Sequence, residues 1–236
     1  MLQPVIIALD FSTRAEVEGF LQPFSDEQLF LKVGMELYYQ EGPDLVNYLQ
    51  SQGHAVFLDL KLHDIPTTVY KAMRGIANLG VDLINVHAAG GIEMMKKAIE
   101  GLEDGSVINK RPLCIAVTQL TSTSVETMNE ELNIPGTIQD TVEHYAKNAE
   151  KANLDGVVCS PLEVPFIRDC CGERFLTITP GIRLANNDVN DQKRIASPVQ
   201  AKELGSSCIV VGRTITRSEK PVIVYHQILD MWRKAE

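Results

Sequence analysis

Two aspartates and a lysine lie within six positions of the chain, at the end of an apolar run. The stretch FLDLKLHDIPTTV, residues 57–69, contains Asp59, Lys61 and Asp64. Side chains alternate between the two faces of a strand, so Asp59 and Lys61 share one face and the intervening leucines share the other. A carboxylate beside an ammonium can arrange charge around a reacting molecule and supply a proton to it. The stretch therefore predicts electrostatic and acid catalysis.

An ordinary structural role is the alternative for these three residues. Asp59 and Lys61 could form a salt bridge, and Asp64 could cap the helix that follows. Two further charged residues, Asp10 and Lys32, end other apolar runs of the sequence. Burying several charged groups costs free energy for each ion, and their pairing returns little stability. A function therefore explains the set better, and we expect Lys61 to stay an ammonium because carboxylates surround it.

A second group of residues is typical of a phosphate site. The segments TPGIR, residues 179–183, and CIVVGRTIT, residues 208–216, each place a glycine and an arginine after an apolar run. Gly212 would let backbone N–H groups approach an anion, and Arg213 could hold it with two parallel hydrogen bonds. The alternative is a glycine that ends a strand and an exposed arginine. Residues 184–194 are polar and rich in turn formers, which predicts a lid over this site.

Eight short apolar runs, separated by helical segments, must position these residues. The predicted strands are residues 5–9, 29–33, 56–60, 83–87, 113–118, 156–160, 175–179 and 208–212. Helical spacing of apolar residues predicts helices within residues 14–24, 42–53, 67–80, 91–102, 137–154, 163–172 and 197–206. This alternation predicts an α/β protein with a (β/α)₈ TIM barrel, a fold of typically about 250 residues. An open doubly wound sheet is the alternative, but no GxGxxG motif follows the first strand.

The chain has 236 residues, 44% of them hydrophobic, and no linker or low-complexity segment divides it. We therefore predict one barrel domain over residues 1–236. Catalytic groups of such barrels lie where the strands end at their carboxyl side. The predicted strands bring these residues to that face: Asp10, Lys32, Asp59, Lys61, Asn85, His87, Thr118, Thr121, Ser160, Pro180, Gly181, Arg183, Gly212 and Arg213.

Charge and cysteine content restrict the partners and the compartment. A formal net charge of −9 and a pI near 5.1 argue against nucleic acid and anionic membrane surfaces as partners. The five cysteines fit neither a CxxC motif nor a disulfide framework, which predicts a reducing, cytoplasmic environment. The N-terminal sequence MLQPVIIALD has the pattern of neither a signal peptide nor a membrane span.

Six motifs of the chain resemble those of the orotidine 5'-phosphate decarboxylase family. They are DLKLHDIPTTV, LKVGMELYY, VHAAGG, AVTQLTS, TPGIR and IVVGRTIT. The resemblance extends over essentially the whole chain, and the DxKxxD stretch with its IPxT continuation is the most specific part. It implies decarboxylation of orotidine 5'-phosphate to UMP and carbon dioxide, in de novo pyrimidine biosynthesis and without a cofactor or a metal ion.

The resemblance also implies the catalytic residues and the assembly. Lys61 would protonate C6 of the pyrimidine as carbon dioxide leaves, and Asp59 would lie beside the substrate carboxylate. Lys32 and Asp64 would complete the charged array. In the family, the residues that correspond to Asp64 and Thr68 enter the active site of the neighbouring subunit, which implies a homodimer.

The remaining implied contacts are to the ribose, the base and the phosphate of the substrate. Asp10 and Lys32 would bind the ribose hydroxyls. Thr121, with Ser122 beside it, would read the pyrimidine, and Arg183 would help to shape the phosphate pocket. Three residues would hold the phosphate itself: Gln192, Gly212 and Arg213.

Related barrel enzymes that act on sugar phosphates are the nearest alternative, since they resemble this chain in DxKxxD but use magnesium. They place a carboxylate metal ligand at the end of the second strand, where this chain has Lys32. An ammonium at that position repels a divalent cation. A metal site of Asp59, His63 and His87, like that of pentose-phosphate epimerases, is a further alternative, but we expect His63 to pack or hydrogen bond beside the turn instead. A non-catalytic nucleotide-binding barrel is a third alternative, but we would expect it to lack Lys61 or Asp59.

Overall fold

Eight parallel strands close into a barrel and pair in chain order. The computed structural model describes residues 3–106, 110–184 and 195–235. The strands are β1 (Val5–Leu9), β2 (Phe30–Gly34), β3 (Ala55–Leu62), β4 (Leu83–His87), β5 (Leu113–Val117), β6 (Gly156–Val158), β7 (Leu176–Thr179) and β8 (Cys208–Val211). Helices follow the strands, so the chain is a (β/α)₈ barrel and the predicted fold class is confirmed.

The helices of the described residues lie outside the barrel. They are α1 (Arg14–Leu21), α2 (Met35–Ser51), α3 (Pro66–Ala77), α4 (Gly91–Gly105), α5 (Ile138–Lys151), α6 (Val164–Cys171), α7 (Pro198–Glu203), α8 (Arg213–Thr216) and α9 (Pro221–Lys234). No helix in the described part of the chain is long and apolar enough to cross a bilayer.

Three of these helices differ from the sequence prediction, and one of them, the four-residue α8, lies outside every predicted helical segment. Helix α2 begins at Met35, well before the predicted segment 42–53, and it kinks at Gly42, where φ is 65°. The glycine and the proline after it look like a helix start, but they lie inside one kinked element. Helix α9 was not predicted, because its first turns carry the β-branched residues 222–224, which favour strands.

Alternation along the strands separates two apolar regions. The side chains that fill the barrel interior include Ile6, Ala8, Phe30, Phe57, Leu83, Ile115, Ile178, Cys208 and Val210. The leucines of β3, Leu58 and Leu60, belong instead to the larger core between the strands and the helices. The interior is therefore filled with apolar side chains, and the polar residues of β3 and its neighbours are left at the carboxyl ends of the strands.

At the amino ends of the strands, polar side chains bind backbone groups of neighbouring strands. Asp82 Oδ2 accepts a hydrogen bond from Val56 N–H at 2.8 Å. Asp155 Oδ2 accepts one from Cys114 N–H at 2.7 Å and one from Arg111 Nη1 at 2.6 Å. We call this end of the barrel the amino-terminal rim. Its charged groups satisfy backbone donors that the sheet leaves unpaired.

Helices α3 and α4 pack unusually closely. A Cβ atom at Gly105 would lie 2.5 Å from the backbone oxygen of Arg74, and one at Gly101 would collide with the backbone oxygen of Tyr70. Only glycine fits at these two positions, one helical turn apart on α4. The first turn of α3, which follows Asp64, therefore belongs to a closely packed pair of helices.

Candidate active site

An open cavity of about 240 Å³ lies at the carboxyl ends of the strands. Its polar side chains come from β1, β2, β3 and the loops after β5, β7 and β8. They are Asp10, Lys32, Asp59, Lys61, Gln119, Thr121, Arg183 and Arg213. Gly212 lines it as well. The predicted gathering of strand ends at one face is therefore observed for most of the candidate residues.

Two lysines converge on Asp59 at one wall of the cavity. Lys61 Nζ lies 2.7 Å from Asp59 Oδ1, and Lys32 Nζ lies 3.1 Å from Asp59 Oδ2. Asp10 is more distant, with Oδ1 3.9 Å from Lys32 Nζ, and its side chain is 55% exposed. The strands explain this arrangement, because Gly34 is the partner of Asp59 in the β2–β3 ladder, and Lys32, two residues before Gly34, faces the same side of the sheet.

The environment of Asp59 favours its ionised form. Burial by itself would raise its pKa, but the charges of Lys32 and Lys61 and hydrogen bonds from Lys61 and Asn85 outweigh burial and lower the pKa below its ordinary value. Asp59 is only 8% exposed. A buried carboxylate that stays ionised at neutral pH repels any second carboxylate brought beside it, and its two ammonium neighbours can stabilise negative charge that develops nearby.

Another part of the cavity wall carries the predicted phosphate residues. Arg183, Gly212 and Arg213 all line the cavity there. A Cβ atom at Gly212 would lie 2.9 Å from Asp10 Oδ2, so a side chain at this position would crowd the ribose-binding candidate. Gln192 and residues 185–194 of the predicted lid lie outside the described residues.

Asp64 and Thr68 lie outside the cavity of their own chain. Both are exposed, and Asp64 Oδ1 accepts a hydrogen bond from Ile65 N–H at 2.6 Å. The proposed capping role of Asp64 is wrong, because the N-cap of α3 is Ile65 and no side chain caps that helix. Ile65 itself is 67% exposed, although it is large and apolar.

Two other strand ends are structural. Thr118 Oγ1 donates to the backbone oxygen of Val158 at 3.0 Å. Ser160 caps a short 3₁₀ turn, where its N–H donates to Glu163 Oε2 at 2.8 Å. Neither residue lines the cavity, since both side chains bind the local backbone instead.

Asn85 and Gln119 belong to the site, but only Asn85 was among the residues predicted at the strand ends, and no role was predicted for either. Asn85 is fully buried in β4 and donates from Nδ2 to Asp59 Oδ1 at 2.6 Å. Gln119 lines the cavity beside Thr121. A signal for Asn85 existed, because alternation from Leu83 points it into the barrel, where an amide needs a polar partner. Gln119 had no such signal, because it follows the strand in a loop.

The histidine alternative is not assembled as a metal site. The rings of His63 and His87 lie 5.8 Å apart, and burial lowers the pKa of His87, as do the nearby His63 and Lys61. Within residues 3–106, 110–184 and 195–235, no group of three or more His, Cys, Asp or Glu residues is placed to hold a metal ion.

The fold and the charged cavity define the class of protein: a (β/α)₈-barrel enzyme with its site at the carboxyl ends of the strands. Within that class, the chain belongs to the Orotidine 5'-phosphate decarboxylase / HUMPS family, whose model matches residues 3–228.

Similar proteins cover the chain almost from end to end. Orotidine 5'-phosphate decarboxylases from Bacillus cytotoxicus and Bacillus mycoides are 58% and 59% identical to it over 233 residues, or 98% of both chains. The crystal structure of orotidine 5'-phosphate decarboxylase from Lactobacillus acidophilus is similar with a TM-score of 0.86 and 40% identity, over 98% of this chain and 99% of that one. An uncharacterized conserved protein from Geobacillus kaustophilus has a TM-score of 0.88 and 52% identity, over 97% and 100%.

Proposed function

We propose that this chain removes carbon dioxide from orotidine 5'-phosphate to give UMP, in pyrimidine biosynthesis, with Lys61 as the proton donor. The observation that carries the proposal is the convergence of Lys32 and Lys61 on the ionised Asp59, at 3.1 and 2.7 Å, inside the cavity. The full-length similarity to named decarboxylases supports the same reaction.

In the proposed reaction, the bond between C6 and the substrate carboxylate breaks and its electron pair stays on C6. A proton then moves from Lys61 Nζ to C6, and carbon dioxide leaves. Lys61 is left neutral and recovers its proton from water after release of the product. The ammonium is already held beside Asp59, so little reorganisation is needed as charge develops on C6.

Asp59 has two parts in this proposal. It holds Lys61 Nζ at 2.7 Å, and it places a negative charge next to the position of the substrate carboxylate. Repulsion between two carboxylates is relieved when carbon dioxide departs. Interactions that are more favourable in the transition state than in the bound substrate are those that raise the rate.

The rest of the cavity would bind the nucleotide. Gly212 and Arg213, together with Gln192, would hold the phosphate, and Arg183 would shape that wall. Asp10 and Lys32 would bind the ribose hydroxyls, in keeping with their adjacent positions at the ends of β1 and β2. Thr121 would contact the pyrimidine. Binding of the distant phosphate would help to hold the carboxylate against Asp59, so substrates without it should lose turnover as well as affinity.

We further propose a homodimer in which Asp64 and Thr68 reach the partner's site. Support comes from their exposure at the same rim as the cavity, next to the exposed Ile65. Mixing inactive Lys61→Ala chains with inactive Asp64→Ala chains should restore part of the activity, because one of the two mixed sites would be intact. If mixing restores nothing although mixed dimers form, Asp64 acts within its own chain.

The cytoplasm is the proposed compartment. All five cysteines are free, two of them half-buried, as suits a reducing environment.

The reaction is tested by the fall in orotidine 5'-phosphate absorbance. Activity should persist in EDTA, because no step proposed here uses a metal ion, and it should disappear in Lys61→Ala. Lys71→Ala, on the exposed surface of α3, is the matched lysine control. Activity that required added magnesium, or that appeared only with sugar phosphates, would favour the other branch of the family and contradict the proposal.

A further inference from the structure

Strands β3 and β4 run out of register beside the charged array. Leu58 is paired with Ile84, and the next pair is Leu62 with Val86, so β3 carries more residues than β4 between the two pairs. At Lys61 the backbone has a φ of 53°, in the left-handed region. Residues with a side chain rarely adopt this conformation, so the surroundings must hold Lys61 in it.

Asn85 provides that hold. Its Oδ1 accepts a hydrogen bond from Lys61 N–H at 2.7 Å, where a regular ladder would offer a backbone oxygen. Its Nδ2 donates to Asp59 Oδ1 at 2.6 Å, the same oxygen that Lys61 Nζ approaches at 2.7 Å. The partners fix the orientation of the amide, since a backbone N–H can only donate and an ionised carboxylate can only accept.

We propose that Asn85 is a positioning residue for decarboxylation. It does not line the cavity, and it acts through the two residues it joins, by holding the backbone of Lys61 in its left-handed conformation and by orienting the Asp59 carboxylate. Without it, Lys61 relaxes towards ordinary strand geometry and its ammonium moves away from C6. This inference rests on the proposed role of Lys61 as the proton donor.

At neutral pH the amide of Asn85 both accepts from Lys61 N–H and donates to Asp59. Alanine or leucine at position 85 would leave Lys61 N–H without its acceptor. Aspartate would keep that acceptor but would set a second carboxylate against Asp59. Because two carboxylates so close share a proton at low pH, a protonated aspartate could then donate as the amide does.

The first test is Asn85→Ala in the full chain. We expect kcat to fall about 100-fold, as for a displacement of about 1 Å at a reacting group, while KM and the affinity for UMP change less than about threefold. Thr177→Val is the matched control, since Thr177 is equally buried but hydrogen bonds at the amino-terminal rim. That variant should lose stability and keep kcat.

The second test is the pH profile of Asn85→Asp, which a merely structural role would not change. We expect its kcat, relative to the wild type at each pH, to rise at least about tenfold from pH 8 to pH 5, as the proton shared with Asp59 replaces the amide donor. The other charged groups that face this pair are Lys61, Lys32 and His87, and all three are present in the wild type used for comparison.

The outcomes separate this inference from the proposed function. If the wild type does not decarboxylate orotidine 5'-phosphate, the proposed function fails and the inference fails with it. If the wild type is active and Asn85→Ala keeps kcat within about threefold, only the inference is overturned. It is also overturned if kcat and UMP affinity fall together in Asn85→Ala, or if Asn85→Asp shows no gain in relative kcat at low pH. If neither variant folds, Asn85 serves the fold alone, and the inference is overturned as well.

Discussion

Both rims of the barrel contain a carboxylate and a cation at nearly the same separation. Asp155 lies 2.6 Å from Arg111 at the amino-terminal rim, and Asp59 lies 2.7 Å from Lys61 at the carboxyl ends of the strands. Their surroundings differ. Asp155 also accepts a backbone N–H, and Arg111 also donates to the backbone oxygen of Pro112. Within the described part of the chain, Asp59 meets only side-chain donors, and both of its lysines line an open cavity.

The difference shows what would distinguish a structural ion pair from the pair that we propose to be reactive. At the amino-terminal rim the charges bind the backbone of the strands, so their loss should weaken the fold. At the cavity, two ammonium groups share one carboxylate and keep N–H groups available to a ligand. The distance between carboxylate and cation is nearly the same in both ion pairs, so it does not distinguish them. The other hydrogen-bond partners of the two carboxylates do.

The largest effect should follow from removing Lys61. Lys61→Ala should lower kcat by about 10³- to 10⁴-fold, since it removes the proposed proton donor and a charge that would stabilise the transition state. Its free energy of unfolding should stay within about 1 kcal/mol of the wild type, because Asp59 keeps Lys32 and Asn85. Steady-state kinetics and urea unfolding measure both quantities. If Lys61→Ala lost stability as well as activity, the Asp59–Lys61 pair would support the fold as the Asp155–Arg111 pair does, and the proposed difference between the two rims would be wrong.

The next effect concerns the phosphate wall. Arg213→Met should lower kcat/KM for orotidine 5'-phosphate about 100-fold, since a charge-assisted contact to the phosphate is lost. For the nucleoside orotidine, which has no phosphate, the same substitution should change kcat/KM little. Arg217→Met, on the exposed surface one turn away, is the control and should behave as the wild type. Equal losses with both substrates would show that Arg213 supports the fold and not the phosphate.

At the amino-terminal rim the expected effect is on stability. Arg111→Met should reduce the free energy of unfolding by about 2 kcal/mol, because Asp155 stays half-buried without its cation. Turnover by the folded variant should match the wild type within about twofold, since the cavity lies at the other end of the barrel. Denaturant unfolding and kcat provide the two measurements, and a large loss of kcat in folded protein would contradict the division between the rims.

The smallest effect is the pH dependence of the stability that the ion pairs of Asp59 contribute. Since folding lowers the pKa of Asp59, its contribution to stability is present above the ordinary value of 3.8 and is lost as the pH falls through the lower folded value. Asp59→Asn should therefore melt roughly 2–4 °C below the wild type at neutral pH, a loss of about 1 kcal/mol. The gap should stay constant down to about pH 5 and narrow only below pH 3.8. A gap that narrowed near pH 6 would mean that folding raises this pKa.

Much of the fold could be predicted from the helical spacing of apolar residues and from the alternation of strand and helix segments along the chain. Strands β1 and β4 begin and end where the apolar runs do, because parallel strands buried on both faces are apolar throughout. Prediction failed where local propensity and tertiary packing disagree. The β-branched start of α9 packs as a helix, with Tyr225, Ile228 and Trp232 buried against the barrel.

The part of the candidate site that lies at the carboxyl ends of the strands could be predicted from the sequence. Asp59, Lys61 and Lys32 lie together as the alternation implied. The left-handed backbone of Lys61 was not predictable, because it arises from a register shift between two strands and no turn residue marks it. Alternation also places Asn85 at the strand ends, but its hydrogen bond to Lys61 N–H depends on a bulge in the neighbouring strand, which a single strand read in isolation does not reveal.

Gly101 and Gly105 press α4 directly against α3, and this affects how the chain could meet another copy of itself. The exposed Ile65 and Thr68 lie at the start of α3, a helix that is closely packed against α4 in the single subunit. Association costs free energy when loose segments must be ordered. A partner that docks here would meet a preformed surface. The entropic cost of association would then come mostly from the loss of translational and rotational freedom of the two subunits.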